Sequence, residues 1–186
     1  MPRYPTRSWR SFEAPAAGAV RSVPVARLRI LGLDPGSRRT GFGVIDCDGP
    51  DNVHFTHGCI SASGATLADR LRVIFEGVRE LVAVHQPQEV AVEQVFMSRN
   101  ADSALKLGQA RGAAMSAVPG GLPVFEYAPR AIKLAVVGFG GAEKHQVAHM
   151  IRALLRLEGR ITADASDALA VAVCHAHSRR LRELMR

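Results

Sequence analysis

The sequence predicts an α/β domain, a mixed five-stranded sheet flanked by helices. Three observations predict it: three strand-like segments joined by turn signals open the patterned part of the chain, helical and strand periods then alternate, and the last third reads as helix.

Residues 1–26 carry Pro, Ser and Arg with a single acid, Glu13, and follow neither period. They are expected to be a disordered N-terminal extension, with the domain over 27–182. An upstream start codon, a nucleic-acid-binding arm and, less well, an organelle transit peptide all fit such an Arg-rich leader. From Arg27 the pattern changes. Leu28 to Leu33 is rich in apolar residues and ends at Asp34-Pro35-Gly36. Thr40 to Ile45 alternates small and apolar residues before the turn Asp48-Gly49-Pro50, and Val53 to Ser61 is a third strand. Strands joined directly by turns are antiparallel.

Leu67, Leu71, Ile74, Val78 and Leu81 then recur at intervals of four and three, an amphipathic helix that Gln86-Pro87 ends. Glu89 to Val95 is strand-like. Asn100 to Val118 is a helix whose Ala104, Gly108 and Gly112 form one small-residue face, open to close helix packing. A short strand at Pro123 to Tyr127 precedes helical segments near Ala128 to Val137, Ala142 to Leu155 and Ala163 to Leu181. The two later strands follow helical crossovers and are expected to join the sheet in parallel.

At 186 residues and 47% hydrophobic content the chain can bury one core. Lys and Arg number 24 against 17 Asp and Glu, a net charge of +7 that suits a polyanionic partner such as nucleic acid, although a basic tail on any protein gives the same balance. Aromatic residues are 5% of the chain, too few for the stacking platform of a general single-strand binder. Cys47, Cys59 and Cys174 are far apart with no Cys-x-x-Cys pair, so reduced thiols are expected rather than a zinc ribbon. With no run of eighteen apolar residues and no secretory signal, a soluble, cytoplasmic protein without membrane contact is expected.

Four acids stand where this layout places element ends: Asp34 closes the first strand, Glu93 lies in the fourth, and Asp164 and Asp167 share a face of the last helix. Each is set among apolar neighbours, where a carboxylate is costly unless a cation pairs with it. Mg²⁺ prefers such oxygen ligands and leaves positions for water and phosphate. Two ions about 4 Å apart can clamp the attacking and leaving oxygens of a phosphoryl transfer. Ordinary structural uses fit the spacing as well: Asp34 capping the turn before Pro35, Glu93 paired with an Arg, Asp164 capping the last helix. Spacing does not choose between these.

Longer motifs carry a resemblance. Ile30-Leu-Gly-Leu-Asp-Pro-Gly-Ser, Thr40-Gly-Phe-Gly-Val, Val92-Glu-Gln-Val-Phe and the run Asn100-Ala-Asp-Ser-Ala-Leu-Lys-Leu-Gly-Gln-Ala-Arg-Gly resemble the RuvC Holliday-junction resolvases. So do Pro123-Val-Phe-Glu-Tyr-Ala, Val136-Val-Gly, Ala142-Glu-Lys and Ala163-Asp-Ala-Ser-Asp-Ala-Leu-Ala. The likeness runs from about Leu28 to His177. It implies an RNase H-like fold and a homodimer that resolves four-way junction DNA by symmetric nicks in two opposed strands, in recombination and repair. It also implies cooperation with the RuvA and RuvB branch-migration proteins. By matched motif, Asp34, Glu93, Asp164 and Asp167 would be the catalytic, metal-binding acids, holding Mg²⁺, or Mn²⁺ as a substitute, with two ions per site. Lys133 and Lys144 match basic positions that serve junction phosphates, Lys144 also catalysis, where an ammonium would offset transition-state charge. Phe96 and Met97, on the loop after Glu93, would meet DNA, the ring stacking on an unpaired base. Burial beneath the loop is the structural alternative for that pair.

Other features have plainer readings. His145 and His149 have i, i+4 ligand spacing but no third ligand, and a solvated helix face is expected. His175 and His177 are expected to close the last helix near Arg179, Arg180 and Arg182, where either the helix C-terminus or a phosphate would favour the positive charge. Gly-Leu-Asp-Pro-Gly-Ser followed by Thr-Gly also resembles the phosphate loop of actin-like ATPases and sugar kinases, but those need two domains and this length gives one. A non-catalytic junction-binding protein would not need all four acids.

Overall fold

The computed structural model describes residues 27–49, 51–94 and 100–185. The leader 1–26 and the pair Phe96 and Met97 therefore lie outside the described residues. Five strands, β1 (Leu28–Asp34), β2 (Arg39–Asp48), β3 (Asp51–Ser61), β4 (Glu89–Glu93) and β5 (Val124–Tyr127), form one sheet in the order β3-β2-β1-β4-β5. The first three strands are antiparallel neighbours, and β4 and β5 run parallel to β1. This is the expected mixed sheet in an RNase H-like arrangement. The hairpin turns fix the first half, and the helical crossovers fix the second.

The helices are α1 (Leu67–His85), α2 (Ala101–Ser116), α3 (Pro129–Val137), α4 (Lys144–Leu154) and α5 (Ala163–Leu184). Their ends follow local chemistry. Thr66 and Asp69 form a reciprocal capping box on α1, whose chain leaves through Gln86 in the left-handed region just before Pro87. Asn100 caps α2, Pro129 opens α3 and Gly138 at φ +81° stops it, and Thr162 caps α5 through the Ala165 amide.

Helices cover both sheet faces, so β1 is buried from Ile30 through Leu33. Ile30, Ile45 and Ala91 pack with α3, α4 and α5, whereas Leu31, Leu33, Val44 and Val92 pack against α1 and α2. α5 is sunk deepest, with Ala165 and Ser166 and then Ala168 through Ala176 buried. It comes this close because the strands beneath it carry glycine. A Cβ at Gly32 would lie 2.2 Å from the Ala168 carbonyl oxygen, and one at Gly41 would lie 2.0 Å from that of Asp164. Glycine at these two positions therefore sets the height of α5 above the sheet, and with it the height of the acids that α5 carries.

One expectation is corrected. α5 does not end at Leu181 but continues to Leu184, so His175 and His177 do not close it. His175 is fully buried: its Nε2 lies 2.5 Å from Glu89 Oε2, its Nδ1 lies 2.7 Å from the Tyr127 hydroxyl, and Phe125 packs on the ring. Burial first, partly opposed by Glu89, lowers its pKa. It is a satisfied core histidine. His177 Nδ1 lies 3.1 Å from the Ala135 carbonyl.

Candidate active site at the strand ends

β1 and β4 are parallel neighbours paired as far as Leu33 and Val92, so the next residues, Asp34 and Glu93, end side by side. Side chains alternate along a strand, and Ala91 faces α5, so Glu93 does too; Asp34 shares that face with Ile30. The site therefore follows from register. Facing them is the N-terminal part of α5, with Asp164 in its first turn and Asp167 one turn on. A helix N-terminus tolerates this concentration of negative charge.

Asp34, Glu93 and Asp167 line a cleft of about 240 Å³ together with Lys133 of α3 and Lys144 at the start of α4. Pro129, Ile132, Val147 and Ala170 supply its apolar wall. The Asp34 and Glu93 carboxyls lie close enough for each to act on the other's ionisation. Burial first, then the charge of Asp167, raises Asp34 to about 6. Burial first, then Asp34, raises Glu93 to about 7. Two neighbouring carboxyls raised this far by burial and by nearby acids lack the positive charge their setting calls for. Part of it comes from Lys144, whose Nζ donates to Asp167 Oδ2 at 3.1 Å and whose pKa is raised first by that hydrogen bond. The Lys144 side chain is 85% exposed, so this is a flexible contact at the mouth rather than a fixed interior pair.

Asp164 stands apart. It does not line the cleft; its Oδ2 pairs with Arg39 Nε at 3.3 Å and accepts a long contact from Cys59 Sγ at 3.8 Å. Among the described residues no three His, Cys, Asp or Glu side chains are gathered tightly enough to form a ready-made cation cage. The chemistry of the donors nonetheless fits a hard divalent ion: all are carboxylate oxygens, two are buried side by side with raised pKa values, and a third already holds an ammonium. Asp34, Glu93 and Asp167 would hold an ion in the cleft, and Asp164, paired with Arg39, would have to leave that partner to join them.

The structure thus brings Asp34, Glu93, Asp167, Lys133 and Lys144 into one cleft and places Asp164 at its edge. His145 and His149 are exposed on α4, as expected of a solvated face. The three cysteines are free thiols, and burial raises Cys47 and Cys174 to about 11. Two contributors escaped the sequence. Arg39 carries no local signal, because only the fold sets it beside Asp164. Arg111 sits in the Gln-Ala-Arg-Gly part of the long α2 run, and its Nε donates to the Glu93 carbonyl at 3.2 Å. Among the described residues no helix is long and apolar enough to cross a membrane.

Residues 30–175 match the family model described as crossover junction endodeoxyribonuclease RuvC. A protein of that name from Hahella chejuensis (strain KCTC 2396) is 54% identical over 160 residues, covering 86% of this chain and 92% of the relative. Another from Shewanella sp. (strain W3-18-1) is 56% identical over 151 residues, covering 81% and 87%. The solved structure of T. thermophilus RuvC in complex with Holliday junction substrate superposes with a TM-score of 0.78 at 33% identity, covering 83% of this chain and 96% of that one. With the family model spanning most of the chain and relatives above half identity along nearly their full length, the chain belongs to the RuvC family of crossover junction endodeoxyribonucleases.

Proposed function

We propose that this protein resolves Holliday junctions in recombination and repair, nicking two opposed strands symmetrically as a homodimer. The observation that carries the reading is the Asp34, Glu93 and Asp167 cluster lining one cleft with Lys133 and Lys144, at the ends of adjacent parallel strands of a RuvC-family chain.

Mg²⁺, or Mn²⁺ in its place, would supply Lewis-acid charge and an activated water, with two ions per site. The chain's own residues do the rest. Asp34 and Glu93 would hold the ion in their ionised forms, and their raised pKa values tie activity to neutral or higher pH. Lys144, which donates to Asp167, would turn to a phosphate oxygen when DNA enters, and Asp167 would then be free to hold the ion. Lys133, on the opposite wall, holds the strand in the cleft. The apolar wall of Ile132 and Val147 limits water, so these charges act in a poorer dielectric than at the open surface. Phe96 and Met97, which follow Glu93 in the sequence, are proposed to meet the DNA.

The homodimer is proposed to form through α2: a Cβ at Gly108 or Gly112 would meet nothing within 4 Å, and Leu105 on the same helix is 63% exposed. RuvA and RuvB are the proposed partners and the cytoplasm the proposed compartment. Residues 27–182 are proposed as the nuclease domain and 1–26 as separable. A chain starting at Arg27 is expected to fold and to cut, and loss of cutting in a folded truncation would count against that division.

The test is a synthetic four-way junction labelled on each strand in turn and incubated with and without Mg²⁺. Paired nicks at symmetric positions, only with the metal, are expected. Binding without nicking would leave a junction-binding protein instead.

A further inference from the structure

We infer that Arg111 is a positioning residue, a strut between α2 and the sheet that fixes the end of β4 and through it the Glu93 carboxylate. The inference rests on the reading of Glu93 as a metal ligand. β4 has five residues, and its ladder with β1 stops at Val92, one residue before Glu93. On the other side Glu93 is held by its pairing with Tyr127, and the Gln94 amide donates to the Tyr127 carbonyl at 2.8 Å. The β1 side of the strand end therefore lacks a strand partner at the residue whose position the site depends on.

Arg111 supplies the missing support. Its Nε donates to the Glu93 carbonyl at 3.2 Å while its NH2 forms an ion pair with Glu126, the residue before Tyr127 on β5. One guanidinium thus bridges β4 and β5. The Arg111 side chain is 21% exposed and lies on the α2 side of the sheet, whereas the Glu93 carboxyl faces α5; Arg111 is not among the residues that line the cleft. It supports the backbone of Glu93 from the face of the sheet opposite the cleft. The task suits arginine: its planar fork presents two donors at fixed angles, and a lysine ammonium keeps the charge but not that geometry.

The experiment compares Arg111→Gln, Arg111→Lys, Glu126→Gln and the Arg111→Gln/Glu126→Gln double variant, with Glu93→Gln as control. Three quantities are read: single-turnover cleavage of the junction, junction affinity in EDTA, and the rise in melting temperature on titrating Mn²⁺. For Arg111→Gln we expect cleavage to fall about 10- to 100-fold, the range for losing a group that orients a metal ligand. Its Mn²⁺ response should move to higher concentration while affinity in EDTA stays unchanged. Arg111→Lys should recover only part of the loss, and the double variant should be no worse than Arg111→Gln, because both changes remove one bridge.

Wild-type cleavage and Mn²⁺ response in Arg111→Gln would overturn the inference. A matching loss of affinity in EDTA would overturn it too, by making Arg111 a DNA contact. If Arg111→Gln does not fold, Glu126→Gln decides: a smaller loss in the same direction supports the strut, and wild-type behaviour removes it. A Glu93→Gln protein that cuts normally would instead bring down the reading of the site.

Discussion

The Cα of Gly41 faces the carbonyl of Asp164 so closely that a methyl group at residue 41 would lie 2.0 Å from the oxygen. Gly41 is the register partner of Asp34 on β2, so this contact joins the strand-end acid to the helix that carries Asp164 and Asp167. Backbone lies on both sides of it, and neither side can move without shifting a whole element.

Gly41→Ala is therefore expected to lift the start of α5 from the sheet. Overpacking of this kind costs about 1–3 kcal/mol, and cleavage should fall further than stability does, because Asp167 moves with the helix. Thermal unfolding and junction nicking on the same preparation check this. Wild-type cleavage in Gly41→Ala would mean that the site does not depend on the height of α5.

Gly108→Arg tests the assembly. With open space around Gly108, the arginine fits the isolated chain, so secondary structure should be retained while two like charges meet across any α2 interface. Sedimentation at micromolar concentration should show a dimer for the wild type and a monomer for the variant, with paired nicking lost. A variant that remains dimeric would move the interface off this face of α2.

Most of the fold was legible because its signals are local. Turns at Asp34-Pro35-Gly36 and Asp48-Gly49 set the antiparallel half, and Gln86-Pro87 ended α1 where expected. His175 was misplaced because helical periodicity does not mark where α5 stops, and Leu181 was not its end. In the site, spacing alone left Asp34, Glu93, Asp164 and Asp167 open to capping and pairing roles, and the longer motifs selected the acids. That Asp164 turns to Arg39 while Asp167 turns to Lys144 depends on tertiary contacts across 125 and 23 positions of chain, which no local pattern encodes.

The pH dependence of stability has a definite sign. Asp34 rises from 3.8 to about 6 and Glu93 from 4.5 to about 7, so the native state binds protons that the unfolded chain has released. The stability this gives is complete below about pH 4 and is lost as pH rises through about 7. Asp34→Asn removes the charge conflict, so in EDTA its stability relative to wild type should improve between pH 5 and pH 8, by on the order of 1–2 kcal/mol. Mn²⁺ should raise the wild-type melting temperature at pH 8 far more than at pH 5, where protons compete for the ligands. A difference between wild type and Asp34→Asn that does not vary with pH would show that Asp34 is not raised and does not raise Glu93 in the metal-free protein.

Asp34→Asn, Glu93→Gln, Asp164→Asn and Asp167→Asn are each expected to abolish junction cleavage while leaving junction binding intact. Each change keeps the side chain's size and removes the charge an ion needs, so the loss falls on the transition state rather than on the DNA complex. Cleavage should drop by about 10²–10³-fold or more, the scale of a lost electrostatic contribution at a reacting centre. Binding is expected to rest on Lys and Arg contacts to phosphate, and removing an acid from a chain of net charge +7 can tighten it. Asp164→Asn also releases Arg39 and Asp167→Asn releases Lys144, each giving the phosphates one freer cation, so these two should bind at least as tightly as Asp34→Asn. Rates measured under single turnover in Mg²⁺, with affinities measured in EDTA, separate the two effects. A folded Asp34→Asn protein that cuts near the wild-type rate would remove metal-assisted hydrolysis from consideration.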